Sequence, residues 1–355
     1  MKARTNPWGT DNSLPLEKRD LSSLEAAILQ TVAYSDVFDY PLTPAEIHRY
    51  LVGVRASWRI VQGLLDHGGA MSGLLVSQGG YFLIQGRDEI VETRRRRARV
   101  AAGMWPRAKR YGATIGQLPF VRMVAVTGAL SMDNVEPDTD IDYLVVTEPG
   151  RLWLCRAMVV ALVRLAARRG DTVCPNYFLS ERTLALGEPN IFTAHELVQM
   201  VPIAGLETYR RMRCLNAWAA RFLPNAFYAP RQVGSHRDNG RTPSADGNSE
   251  EQPLLRSMAE AALRTSMGSR LEQWEMSRKV CKLSRQADPR AGGDAWEGDC
   301  PVETNFSADR CKGHFDSHRR RTLDAFTQRL RSLDIAFPEV TASGAESRSE
   351  GGFDA

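Results

Sequence analysis

Val124 to Val146 reads VAVTGALSMDNVEPDTDIDYLVV. An apolar run, Val121 to Thr127, closes on Gly128. A loop rich in turn residues follows, and Asp140 and Asp142 then open a second apolar run, Ile141 to Thr147. Alternate residues of a strand share a face, so Asp140 and Asp142 project together from one strand end. Neighbouring carboxylates repel each other unless a cation lies between them. Carboxylates paired around divalent metal suit in-line displacement at phosphorus. The glycine after the first strand lets backbone come close to a phosphate.

Outward from this stretch the pattern alternates. A helix is expected over Arg151 to Arg169, closed by Gly170 as a C-terminal cap. A strand follows over Thr172 to Leu179. Further helices are expected over Asn190 to Met200, with Thr193 as cap, Glu196 at the third position and Pro202 as the stop, and over Tyr209 to Phe222. Upstream, apolar residues at helical spacing place a helix over Leu24 to Val37, capped by Ser22 or Ser23. Thr43-Pro44-Ala45-Glu46 carries a capping threonine, a first-turn proline and a carboxylate at the third position, and starts a second helix. Ala56 to Leu65 makes a third. Leu74 to Ser77 and Tyr81 to Ile84, joined by Gln78-Gly79-Gly80, read as a hairpin. Glu89 to Arg110 is a long basic helix.

The 355 residues allow two or three domains, and a hydrophobic content of 43% suffices for a core. The formal charge of +4 permits nucleic-acid contact without arguing for it. Residues 1–20 lack the apolar centre of a signal peptide. No stretch reaches the ~18 uninterrupted apolar residues of a membrane span, since Arg156 and Arg164 interrupt the closest one. The six cysteines show no paired spacing, so a reduced, cytoplasmic protein without membrane contact is expected. The expected organisation is a flexible tail (1–20), a small helical module (21–88), a connecting basic helix (89–118), a central sheet domain (119–228), a Gly-, Ser- and Asp-rich linker (229–253), a helical C-terminal region (254–337) and a disordered tail (338–355). In the C-terminal region Leu254 to Leu283 and Arg319 to Leu333 read as helices, and residues 285–310 as mobile.

The strand, glycine turn, loop and Asp-x-Asp at the start of the next strand resemble the nucleotidyltransferase superfamily that includes DNA polymerase beta and the aminoglycoside nucleotidyltransferases. Gly128 matches its glycine, Ala129 stands where the family usually has serine with Ser131 close by, and Asp140 and Asp142 match its metal-binding pair. The segments LCRAM, CPNYFLSE and TAHELVQMVPI look like those of a bacterial nucleotidyltransferase-domain group with an N-terminal winged-helix-like region. The resemblance implies an α+β fold: a small mixed sheet of nucleotidyltransferase type with helices on one face, a winged-helix-like module before it and a helical region after it. It also implies transfer of a nucleoside monophosphate from an NTP to a hydroxyl acceptor with Mg²⁺ or Mn²⁺. Asp140 and Asp142 would hold metal, and Gly128, Ala129 and Ser131 would line the nucleotide phosphates. The family uses a third carboxylate on the neighbouring strand. Here that strand carries Asn176 at the expected place, and an amide cannot accept a proton. Asp171 and Glu181 flank the strand as substitutes, and Glu196 is a more distant one.

Other features have competing readings. In a winged helix, Ala56 to Leu65 would be the recognition helix, and Arg55, Trp58, Arg59 and Gln62 would face DNA across residues 55–62. That helix is not strongly basic, and the module could instead pack on its neighbour. A DNA-binding regulator with a weakened nucleotide-sensing domain is therefore the alternative to an enzyme, and a protein-modifying interaction module is a third. Four consecutive arginines, Arg94 to Arg97, cannot face one partner on a helix. They read as a solvated connector, or else as a basic surface that steers polyphosphate. His195 reads as a satisfied helix-start group rather than a nucleotide contact, and Trp153 and Trp218 as core. Cys300, Cys311, His314 and His318 have a close histidine pair but the wrong first spacing for a zinc finger.

Overall fold

The computed structural model describes residues 21–168, 170–187, 189–228, 251–287, 306–312 and 318–338. The 1–20 tail, most of the 229–253 linker, nearly all of the 338–355 tail, and Cys300 and His314 of the cysteine–histidine spacing lie outside the described residues. The fold is α+β. Helix α1 (Ser23–Asp36) starts on Ser22, which forms a reciprocal capping box with Glu25, and α2 (Pro44–Arg49) does the same with Thr43 and Glu46. Helix α3 (Trp58–His67) follows, then the hairpin β1 (Leu75–Gln78) and β2 (Tyr81–Ile84). Leu42 exchanges two backbone hydrogen bonds with Phe82 and extends the hairpin by one rung.

Helix α4 (Ile90–Gly116) has 27 residues and spans about 40 Å. The arginines of its first half bind several intramolecular partners. Arg94 is buried, lies 3.5 Å above the Tyr40 ring centre and donates to Glu46 Oε1 at 2.8 Å. Arg95 reaches the Gly79 carbonyl, Arg96 and Arg97 grip Glu136, and Arg99 reaches Glu92.

The central sheet contains β3 (Val121–Val126), β4 (Ile141–Thr147), β5 (Val173–Ser180), β6 (Val201–Ala204) and β7 (Arg310–Lys312), in the order β6-β3-β4-β5-β7. Strands β4 and β5 are parallel, joined by helix α6 (Leu152–Ala167), and the other pairs are antiparallel. The four-residue α5 (Gly128–Ser131) sits between β3 and β4.

Helices cover both faces of the sheet, not one. Val124, Val126, Tyr143, Val145 and Phe178 pack with residues of α4 and α6. Met123, Ala125, Leu144, Val146 and Leu179 pack on the other side with α1, with α7 (Ile191–Gln199) and with a C-terminal helix over residues 318–332. The reason is in β3 and β4, which are continuous apolar runs rather than alternating ones and so need cover on both faces. The N-terminal helices share this second core, so the 21–88 segment is not a separately packed unit.

Four local expectations change. Asn190, not Thr193, caps α7, its side chain accepting from the Thr193 N–H at 2.9 Å. The expected Tyr209 to Phe222 helix divides into α8 (Leu206–Leu215) and α9 (Ala219–Phe222), followed by α10 (Pro224–Tyr228). Fully buried Asn216 causes the break, bonding Leu184 and Met212 carbonyls and the Leu186 N–H. The Leu254 to Leu283 helix is two, α11 (Glu251–Leu263) and α12 (Ser266–Ala287). Residues 306–312, placed in and just after the stretch expected to be mobile, supply β7, pinned by Ser180, Thr183 and Trp153. Helix α13 (His318–Ser332) ends the described chain close to the expected boundaries. Among the described residues no helix is long and apolar enough to cross a membrane.

Candidate functional site

The chain bends at Gly128, directly after β3, with φ at 64°. Only glycine takes this conformation without strain, and here space also demands it. A Cβ at Gly128 would lie 2.5 Å from Asp142 Oδ2. The backbone pairs at the same level, since the Thr127 N–H donates to the Asp142 carbonyl at 3.0 Å. The glycine bend and the first acid of β4 therefore touch. Asp140, two residues earlier, is exposed, and Asp142 is half-buried.

Asp142 has its carboxyl pushed up to about 7, first by burial, then by the charges of Glu196 and Asp140, with a hydrogen bond from the Cys174 thiol working the other way. Cys174 is the direct register partner of Asp142 across β4 and β5. Burial and the two aspartates push its thiol up to about 12, so it stays a protonated donor at neutral pH. Asn176 does not hold that place. The register slips between the Asp142 and Leu144 rungs, and Asn176 falls within the irregular step. Pro175 falls in the same step and is the signal the sequence carried, since proline inside a sheet marks an edge or a bulge.

The other expected residues have clear positions. Ser131 is buried and its hydroxyl donates to the Gly128 carbonyl at 2.7 Å. That bond closes the turn and uses the proton that a phosphate would need. Ala129 is partly buried against the α4 and α6 side of the sheet. Asp171 accepts from Tyr111 at 2.6 Å and from Arg107 at 2.8 Å, which makes it an anchor for α4. Glu181 faces Arg122 at 4.0 Å. Of the three substitutes for a missing acid, Glu196 is the one whose charge acts on Asp142. Glu196 is solvent-accessible, and its carboxyl is raised by the protein around it while the charge of Lys312 opposes the rise. Lys312 lies on β7 opposite Tyr177 of β5.

Helix α7 and the loop before Asp140 both lean on the N-terminal helices. The His195 ring stacks on Tyr34 with centres 3.9 Å apart, and its Nδ1 meets the Ile191 carbonyl at 2.9 Å. Burial lowers its pKa to about 4, so it is a neutral packing group. Tyr40 donates to the Met132 carbonyl at 2.6 Å, Asn134 to the Phe38 carbonyl at 3.1 Å, and Trp105 to Asp133 at 2.6 Å. Trp153 is fully buried, and Trp218 packs partly buried at the edge of the core.

Among the described residues no group of three or more His, Cys, Asp or Glu side chains is arranged to hold a metal by itself. Magnesium keeps several waters and binds through one or two carboxylates plus substrate phosphates rather than in an all-protein cage. The oxygen donors of Asp140 and Asp142 have that chemistry.

The raised Asp142 carboxyl has a consequence for stability. Lifted above its unfolded value of about 3.9, it binds its proton more tightly in the folded chain. The folded state therefore loses stability as pH climbs from about 4 toward 7, and the loss levels off above. Metal-free thermal melts between pH 4 and pH 8 carry this decline together with the opposite trend of His195, whose lowered pKa adds stability as pH rises from about 4. Asp142→Asn should flatten the decline, and an equal slope in both proteins would remove Asp142 as its source.

Comparison with protein-family models, with curated proteins and with solved structures finds no match to this chain.

Proposed function

We propose that this chain is a nucleotidyltransferase that moves a nucleoside monophosphate from an NTP to a hydroxyl acceptor. The observation that carries this reading is the contact between the Asp142 carboxylate and the Gly128 bend, with Asp140 two residues away on the same strand end. A half-buried carboxylate held against two others is costly unless a cation joins them. Asp140 and Asp142 would hold Mg²⁺ or Mn²⁺, which when bound activates the attacking hydroxyl and neutralises the pyrophosphate leaving group. The backbone at Gly128 and Ala129 is placed to meet the nucleotide phosphates, because the missing Cβ leaves room there. The first test is to screen the four NTPs for pyrophosphate release with Mg²⁺ or Mn²⁺, using a cell lysate as acceptor source. Release that requires both metal and the Asp pair supports the reading.

Gly128→Ala tests the bend itself. The new methyl must displace the Asp142 carboxylate, and the positive φ adds roughly 1 kcal/mol or more of strain. Misplacing one metal ligand by about an ångström is expected to lower turnover roughly 100-fold, with only a small loss of thermal stability. Turnover within threefold of wild type would show that the close approach is incidental.

A second reading is supported by the N-terminal helices. The three helices, the hairpin and the Leu42–Phe82 bridge follow a winged-helix order. Arg55, Trp58 and Arg59 are exposed, while Gln62 donates to Asp66. DNA binding through residues 55–62 would make this protein a nucleotide-sensing regulator. Titration of labelled duplex DNA against Arg55→Ala/Arg59→Ala separates the two readings, since loss of binding that leaves pyrophosphate release intact would belong to the regulator.

A further inference from the structure

We propose that Glu196 on α7 is the catalytic carboxylate on the acceptor side of this site, replacing the acid that β5 lacks. The inference rests on the nucleotidyltransferase reading and names a residue that reading does not require.

Three observations support it. First, the rung beside Asp142 is filled by Cys174, so β5 brings no carboxylate there. Second, the rotation of α7 is fixed. Ala194, His195, Leu197 and Val198 are all buried in the shared core, and His195 is locked between Tyr34 and the Ile191 carbonyl. Glu196 lies between these buried neighbours yet is open to solvent, so the helix cannot roll it into the core. Third, Asp142 alternates with Leu144 and Val146 on β4, and those two pack in the same core as Ala194, Leu197 and Val198 of α7. Helix α7 therefore lies over the sheet face that carries Asp142. Lys312 is the cation that opposes the Glu196 charge. β7 carries this residue to the sheet edge, opposite Tyr177, whose ring packs in the same core as α7.

The step balances as follows. The acceptor hydroxyl oxygen bonds to the α-phosphorus of the NTP. The bond from that phosphorus to the bridging oxygen breaks, and pyrophosphate leaves with the electron pair. The hydroxyl proton passes to Glu196.

The test uses the full chain and Glu196→Gln, Glu196→Asp and Asp142→Ala. Two quantities are measured: the thermal shift caused by Mn²⁺ with ATP, GTP, CTP or UTP, and pyrophosphate release from the same nucleotides with lysate acceptor. If Glu196 takes the proton, Glu196→Gln keeps the nucleotide-dependent shift and a KM for NTP within about threefold, while kcat falls about 100-fold or more. Glu196→Asp, a shorter carboxylate, recovers part of that loss. Glu196→Gln with wild-type kcat, alongside an inactive Asp142→Ala, overturns the role of Glu196 and leaves the nucleotidyltransferase reading standing. Equal losses in folded Glu196→Gln and Glu196→Asp also overturn it. Wild-type protein with neither shift nor release overturns the reading itself.

Discussion

With Asp140 and Asp142 both replaced by alanine, the thermal shift produced by Mn²⁺ and ATP should disappear, and NTP turnover should fall at least about 1,000-fold. Removing one preorganised electrostatic group from such a site costs about 100- to 1,000-fold, and this substitution removes both. The expected effect on the unliganded protein has the opposite sign. Asp142 is half-buried, its carboxyl is raised to about 7, and it faces Glu196 and Asp140. Deleting it relieves repulsion, so the double variant should melt at the same temperature as wild type or higher in metal-free buffer near pH 8. A structural acid pair would behave differently, because its loss would lower stability with or without nucleotide. Wild-type and double-variant proteins with equal Mn²⁺/ATP shifts would remove the site assignment.

Gly205→Ala should be strongly destabilising although it lies away from the site. Gly205 has φ at 73°, and an added Cβ would run into the Arg122 carbonyl and lie 2.7 Å from the Met123 Cα. Both obstacles are backbone of β3, the strand that β6 pairs with. Neither can move without disturbing the centre of the sheet, and Gly205 also starts α8. Backbone strain and overpacking together are expected to cost about 3–5 kcal/mol, or roughly 10 °C in melting temperature for a chain of this size. Gly150 is the matched control. Its φ is 72°, but nothing lies within 4 Å of the position its Cβ would take, so Gly150→Ala bears only the conformational cost of about 1 kcal/mol. Similar melting points for the two variants would show that the close approach at Gly205 relaxes cheaply.

The parts of this fold that depend on residues close in the chain can be read from the sequence. Ser22 with Glu25 and Thr43 with Glu46 specify two helix starts, because a capping box needs only four consecutive residues. The β3–glycine–β4 unit and the acid pair are equally local. Period-two geometry places Asp140 and Asp142 on one face, and Gly128 ends the strand before them. The helical spacing of the arginines turns Arg94 into the core toward Glu46 and leaves Arg95 and Arg96 exposed in the same way.

Register and cover were decided elsewhere. A single slip between the Asp142 and Leu144 rungs puts Cys174 beside Asp142 and leaves Asn176 off that rung, because shifting a strand by one residue moves its side chains to the other face. Helix α7, which carries Glu196, covers the sheet face of Asp142 only because it is wedged between the sheet and α1, an arrangement enforced by contacts more than a hundred residues apart in the chain, such as Tyr34 on His195. β7 carries Lys312 to the sheet edge from a stretch whose composition suggests no strand. From its own residues the chain fixed its strand–turn–strand unit, its caps and its acid pair, since those follow from bond geometry and short-range hydrogen bonding. Which other side chains come to lie around the acid pair followed only from burying both faces of the sheet, because packing side chains from distant segments into one core sets positions that no local pattern encodes.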